Sequence, residues 1–184
     1  MSKEKRTCRL CNETKSITEF ELDKRVKDGR TNRCYTCKGK SRDKATYAYY
    51  KLCQRANEAG EEIEVTLEEV KSLFDIFSGT CIYCNAKESP DGRAFHLEHV
   101  IPRRAKGRHH ISNLVLACPG CNGRKRDLPV VSHFFNDDRF KDEHFAMLAH
   151  YLAFQSKQPV EDLVWQMTNQ HAVHELEKMR KEIT

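Results

Sequence analysis

Eight of the nine cysteines fall in four Cys-x2-Cys pairs, at Cys8/Cys11, Cys34/Cys37, Cys81/Cys84 and Cys118/Cys121. Two such pairs supply the closed tetrahedral thiolate shell of structural zinc, so the spacing predicts two Zn2+ ions, each stapling a small module. The ninth, Cys53, reads as a small buried apolar residue. A staple is needed, because 39% hydrophobic and 32% charged residues in 184 leave too little apolar surface for one large core. Paired thiols of this kind belong to metal sites where disulfides do not form. No stretch approaches the roughly 18 consecutive apolar residues of a membrane span, and MSKEKRTC is too charged for a signal peptide. The expectation is an intracellular, cytoplasmic protein with no membrane partner.

Charge is unevenly spread. Residues 1–60 carry 16 basic and 8 acidic side chains, and 81–128 carry 9 and 4. The segments after each block are acidic: 1 against 6 over 61–80, and 6 against 9 over 129–184. Two basic blocks are two places for a polyanion, since phosphate neutralisation dominates nucleic-acid affinity. A solvated basic face accounts for the charge equally well.

The pattern divides the chain into a four-cysteine zinc module at 1–38, a basic linker helix at 39–60, a core at 61–130 and a helical region at 131–184. In the first, an Asp28-Gly29 turn signal lies between the pairs, so a metal-closed hairpin is expected, with Ile17, Phe20, Leu22 and Val26 as its core. From Gly39 to Ala59, basic residues interleave with Tyr47, Tyr49, Tyr50 and Leu52. Thr66 and Glu69 form a capping box, so a helix starts near 67, and Gly79 ends it. Helical spacing recurs at Phe140, His144, Leu148, Tyr151 and Leu152, and again from Val160 to Ile183 beyond Pro159.

The second quartet encloses residues that do not look structural. Phe95-His96-Leu97-Glu98-His99-Val100-Ile101-Pro102 is followed by the basic run from Arg103 to Arg108, by Asn113-Leu114-Val115-Leu116-Ala117, and by Asn122 directly after Cys121. A strand ending in Glu-His, a loop, a second strand and a helix opening at a cysteine knuckle would bring Glu98, His99 and Asn122 together. Neutral imidazole accepts a proton from water near pH 7. Carboxylate and amide oxygens suit a hard divalent ion that neutralises charge at a phosphate.

From Cys81 to about Asp127 the sequence resembles the HNH endonucleases of the His-Me finger (ββα-metal) superfamily, through EHVIPR, Asn113-Leu114 and CPGCNGRKRD. The N-terminal quartet and basic helix resemble, more loosely, a module set ahead of HNH domains in phage-encoded proteins. The resemblance implies a small α+β fold, with a ββα-metal nuclease core, an N-terminal zinc-bound hairpin and a helical C-terminal tail. It implies that His99 is the general base, that Glu98 and Asn122 hold a catalytic divalent ion, Mg2+ or else Mn2+, and that Asn113 fixes the loop and orients the base. Glu98 stands where Asp is commoner, and Asn122 where His often is. Arg103, Arg104, Lys106, Arg108, Arg124, Lys125 and Arg126 are the candidate DNA contacts. His96 reads as a packing residue or substrate contact, and His109 and His110 as loop residues that touch phosphate or nothing. His133, His144, His150, His171 and His174 read as solvent-facing.

The function so implied is a metal-dependent DNA endonuclease, phage-encoded in a bacterial host, acting as a monomer that nicks one strand. Dimerisation through the apolar tail is the alternative state. The competing functions are a non-catalytic zinc protein that binds nucleic acid and a nuclease for branched DNA or RNA.

Overall fold

The computed structural model describes residues 4–40, 43–89 and 94–183, and the side chains of residues 38–40 lie outside the description. The chain forms two compact units, Met1–Glu61 and Glu62–Thr184.

In the first unit, β1 (Lys5–Thr7) pairs antiparallel with β2 (Thr14–Ser16), and the turn between them is the first cysteine knuckle. Asn12 closes that turn in the left-handed region at φ 56°, a conformation its short amide tolerates. Its N–H donates to the Cys8 carbonyl at 2.9 Å. A second ribbon joins β3 (Phe20–Leu22) to β4 (Arg30–Cys34), with Phe20 opposite Cys34. Gly29, at φ 71°, lets the connecting turn close, with Asp23 N–H donating to its carbonyl at 3.0 Å. Phe20 is fully buried against Cys8, Cys34 and Cys37.

Leu22 and Val26, expected in this core, are exposed (66% and 38%), so Phe20 and the cysteines are nearly all the interior of the two ribbons. The basic helix expected as one piece is two, α1 (Tyr35–Lys40) and α2 (Lys44–Ala59). Asp43 caps the second by accepting from Ala45 N at 3.0 Å, and Gly60 ends it at φ 68°. Of the basic residues expected on this helix, Arg42 lies outside the described residues.

In the second unit, α3 (Leu67–Phe77) starts at the Thr66–Glu69 capping box, with both reciprocal bonds made (3.2 and 2.7 Å). It buries Val70, Leu73 and Phe77 and ends at Ser78, itself left-handed, one residue before the expected glycine. The knuckle Cys81–Cys84 repeats the first: Asn85 takes φ 56° and donates to the Cys81 carbonyl at 2.9 Å.

Next, β5 (His96–His99) pairs antiparallel with β6 (Leu114–Ala117), setting His96 opposite Ala117 and His99 opposite Leu114. All of β6 is buried, as a strand of four apolar residues requires. Helix α4 (Pro119–Lys125) follows, capped by Cys118, whose sulfur accepts from Cys121 N, with proline at its first position. This ββα unit clipped by four cysteines is the small α+β core of His-Me finger type.

Helices α5 (Val130–Asn136), α6 (Asp142–Ser156) and α7 (Val160–Ile183) complete the unit. The first two meet the core at Tyr83, fully buried between Cys81 and Cys84 in sequence, whose ring meets His133 and Phe140 edge-on at 5.0 Å. Its carbonyl is 3.0 Å from His144 Nδ1. His133 (1% exposed) and His144 are therefore interior residues rather than solvent-facing ones. Burial pulls His133 down to about 4, so it is the neutral ring that fits there. No helix among the described residues is long and apolar enough to cross a membrane.

Candidate active site

Successive side chains of a strand alternate between its faces. In β5 this sends His96 and Glu98 to one side and Leu97 and His99 to the other. Helix α4 covers the first side, and Asn122 and Lys125, three residues apart, face it together. Asn122 Nδ2 is 2.6 Å from His96 Nδ1. Lys125 Nζ donates to Glu98 Oε1 at 2.9 Å and to the His99 carbonyl at 2.8 Å.

Lys125 is wholly buried and Glu98 nearly so. Burial pushes the Glu98 carboxyl up and the Lys125 ammonium down, and the charge of each partner opposes the other's shift. The expectation of a phosphate contact at Lys125 is corrected: an ammonium with no exposed surface, committed to a carboxylate and a carbonyl, does not reach a ligand.

His99, half-buried, points its ring the other way, so the expectation that it would meet Glu98 and Asn122 is corrected: it faces the β5–β6 connection, where Nε2 lies 2.8 Å from His109 Nδ1. Buried Asn113 organises that connection. Its Oδ1 accepts from Ile101 N at 2.7 Å, and its Nδ2 donates to the carbonyls of Ile101 (3.1 Å) and Arg108 (3.0 Å). Gly107 makes the tight path sterically available: a Cβ there would sit 1.8 Å from the Ile101 carbonyl oxygen. Neither Gly107 nor the His109 contact is among the residues that the sequence motifs single out. A single glycine inside a basic run is a usable sign of close backbone approach, whereas His109 carries no sequence signal for its partner.

The remaining candidate phosphate contacts lie outside the interior. Arg104 is 83% exposed and reaches Asp127 at 3.2 Å, and Arg108, paired with Glu64, is 70% exposed. Lys106 and Arg126 are exposed at left-handed positions, and Arg103 is half-buried. Arg124 donates to Asp137 Oδ2 at 2.8 Å and to Cys121 Sγ at 3.5 Å, so it braces the cysteine cage.

The four sulfurs of each quartet lie within 4.8 Å of one another, and none of the cysteines is in a disulfide. The Sγ atoms of Cys8 and Cys37, and of Cys84 and Cys118, are 3.8 Å apart. A tetrahedron with metal–sulfur bonds of about 2.3 Å has edges of about 3.8 Å, so both cages have the dimensions of metal sites. In the first, desolvation raises the Cys8 thiol but the N–H groups around it, including those of Cys34 (3.4 Å) and Leu10 (3.5 Å), bring it down to about 6. In the second, a bond from the Cys121 thiol and backbone N–H groups hold Cys81 at about 5 against desolvation. Each cage thus presents a thiolate to a cation at neutral pH.

A third cluster of ligand-type groups, Cys121, His133 and Asp137, is buried behind the second cage. Its carboxylate is bound by Arg124 and by Arg139 (2.9 and 2.7 Å), so it forms an outer layer around Cys121.

Residues 81–128 match the family model described as HNH endonuclease, so the chain carries an HNH-like nuclease domain. No curated protein matches the chain. Among solved structures it is similar to the rare-cutting HNH restriction endonuclease PacI, at 16% identity and a TM-score of 0.39, over 69% of this chain and 86% of that one.

Proposed function

We propose that the protein is a phage-type HNH endonuclease that hydrolyses DNA phosphodiester bonds with the aid of a divalent ion. The observation that carries this reading is His99, half-buried at the end of β5 beside a loop that Asn113 and Gly107 hold in one path. Each cysteine cage holds one structural Zn2+. His99 takes a proton from the attacking water, and Asn113, three hydrogen bonds into the loop, keeps the ring in place. Arg103, Arg104, Lys106, Arg108 and Arg126 meet the phosphates flanking the scissile bond.

For the catalytic ion, Glu98 and Asn122 are the oxygen donors. Both lie between β5 and α4, on the other face of β5 from the His99 ring, and although Lys125 takes Oε1 of the carboxylate, carboxylate and amide oxygens are hard ligands fit for Mg2+ or Mn2+. Such an ion supplies charge neutralisation at the phosphate and the leaving oxygen.

One chain has one such set of groups, so a monomer nicks one strand. The test is a time course on supercoiled plasmid with and without added Mg2+. Open circles are expected before linear product, and only with the metal. His99→Ala should lower the rate by roughly 10²- to 10⁴-fold with zinc content unchanged. Cutting at the parental rate by purified His99→Ala protein would sink the assignment of the base.

A further inference from the structure

His109 is 3% exposed, and its ring stands edge-on to that of His99, with centroids 4.8 Å apart and an interplanar angle of 74°. Its backbone is fixed from both directions. The His109 carbonyl accepts from Glu64 N at 3.0 Å and Val65 N at 2.9 Å, and the preceding carbonyl, of Arg108, accepts from Asn113 Nδ2 at 3.0 Å. Ile63 adds a parallel bridge to the same residue. A buried ring on so constrained a backbone does not follow its neighbour. The 2.8 Å contact therefore joins the half-buried His99 ring to a buried one on a fixed backbone, and His109 limits where the His99 ring can sit.

A neutral imidazole has one N–H and one lone pair, and the hydrogen bond made by one nitrogen decides what the other can do. If His99 Nε2–H donates to His109 Nδ1, the lone pair of His99 is on Nδ1, where it can take a proton. If the donor is His109, His99 spends its lone pair on the contact and carries its proton on Nδ1, where it cannot serve as a base. We propose that His109 is a positioning residue for the general base, accepting from His99 Nε2–H and so fixing both the ring plane and the tautomer. The inference rests on the reading of His99 as the base. When water gives its proton to His99 Nδ1, the imidazolium keeps Nε2–H as donor to His109, so no proton passes to His109 and it stays neutral throughout.

The experiment uses the full-length protein with plasmid DNA and Mg2+. In His109→Asn the amide Oδ1 stands near the position of Nδ1 and can accept the same bond; His109→Leu has similar bulk and no acceptor. The leucine variant should lose about 10- to 100-fold in single-turnover rate with DNA affinity unchanged, and the asparagine variant should recover most of that loss. In wild-type protein with 15N-labelled histidine, the His99 ring should show its proton on Nε2. Folded, zinc-replete His109→Leu protein that cuts at the parental rate overturns the inference, as does equal loss in both variants or a His99 proton found on Nδ1. Should the leucine variant not fold, the tautomer alone decides. An active His99→Ala enzyme defeats the base assignment itself, whereas an inactive one beside fully active His109→Leu defeats only the role of His109.

Discussion

The ammonium of Lys125 lies 2.9 Å from a carboxylate oxygen of Glu98, and both groups are buried between β5 and α4. Removing one member of such a pair leaves an uncompensated interior charge, at a cost of about 3–5 kcal/mol. Lys125→Met should therefore lower the melting temperature of zinc-replete protein without added Mg2+ or Mn2+. A divalent ion binding Glu98 stabilises the folded form by mass action, so Mg2+ or Mn2+ should raise the melting point of the variant more than that of the parent. Equal shifts in calorimetry would remove Glu98 from the ion site.

Two zinc ions per chain are expected by elemental analysis after dialysis. Their removal should act unequally. The two ribbons of the first unit have Phe20 and the cysteines for an interior and should lose their structure with the metal. The second also buries Leu73, Leu114, Leu116, Leu148 and Leu152, worth about 1.5–3 kcal/mol each. Hydrogen exchange after chelation should show protection disappearing from β1–β4 but only reduced in α6. A reproducible value near one zinc per chain would mean that one cage is not a metal site.

Gly107→Ala drives a methyl group into the Ile101 carbonyl oxygen and close to Asn113 Nδ2. The backbone must move, at about 1–3 kcal/mol, and the path that carries His109 to His99 moves with it. We expect a lower melting temperature together with a drop in plasmid nicking that saturating Mg2+ does not restore. A variant with parental stability and activity would show that the loop has room the structure does not display.

Deleting residues 1–60 should leave a folded, weakly active nuclease, because the site residues and the second cage all lie in the second unit. The deletion removes 16 basic and 8 acidic side chains, among them Arg6, Arg9, Arg25, Arg30 and Arg33 around a cavity of about 680 Å³. Affinity for DNA should fall and depend less steeply on salt, since every phosphate that is no longer neutralised flattens the slope by about 0.9. An unchanged slope in anisotropy titrations would mean that this block does not touch phosphate.

What is legible in the sequence is local. The capping box at Thr66 and Glu69, the cysteine knuckles and the strand–loop–strand–helix order depend on neighbours a few residues apart, and they appear in the structure as read. Lys125 departs from its reading because a lysine beside two arginines is ordinarily solvated; only the packing of α4 on β5 shows that its ammonium answers a buried carboxylate. His133 and His144 depart for a related reason, as nothing in the spacing of α5 and α6 says that Tyr83 is what they cover. Hydrophobicity alone assigns Leu22 and Val26 to a core, whereas ribbons of three to five residues have little inner face to offer. The break in the basic helix at Asp43 is signalled by the residue type, a good N-cap, although the run of basic and aromatic residues around it reads as continuous.

Tyr83 sits between two metal-binding cysteines while its ring and carbonyl are held by residues of α5, α6 and the turn that joins them. A single residue thereby belongs at once to the cage and to the helical layer. A metal held at Cys81 and Cys84 would on this account be felt as rigidity in helices that carry no ligand.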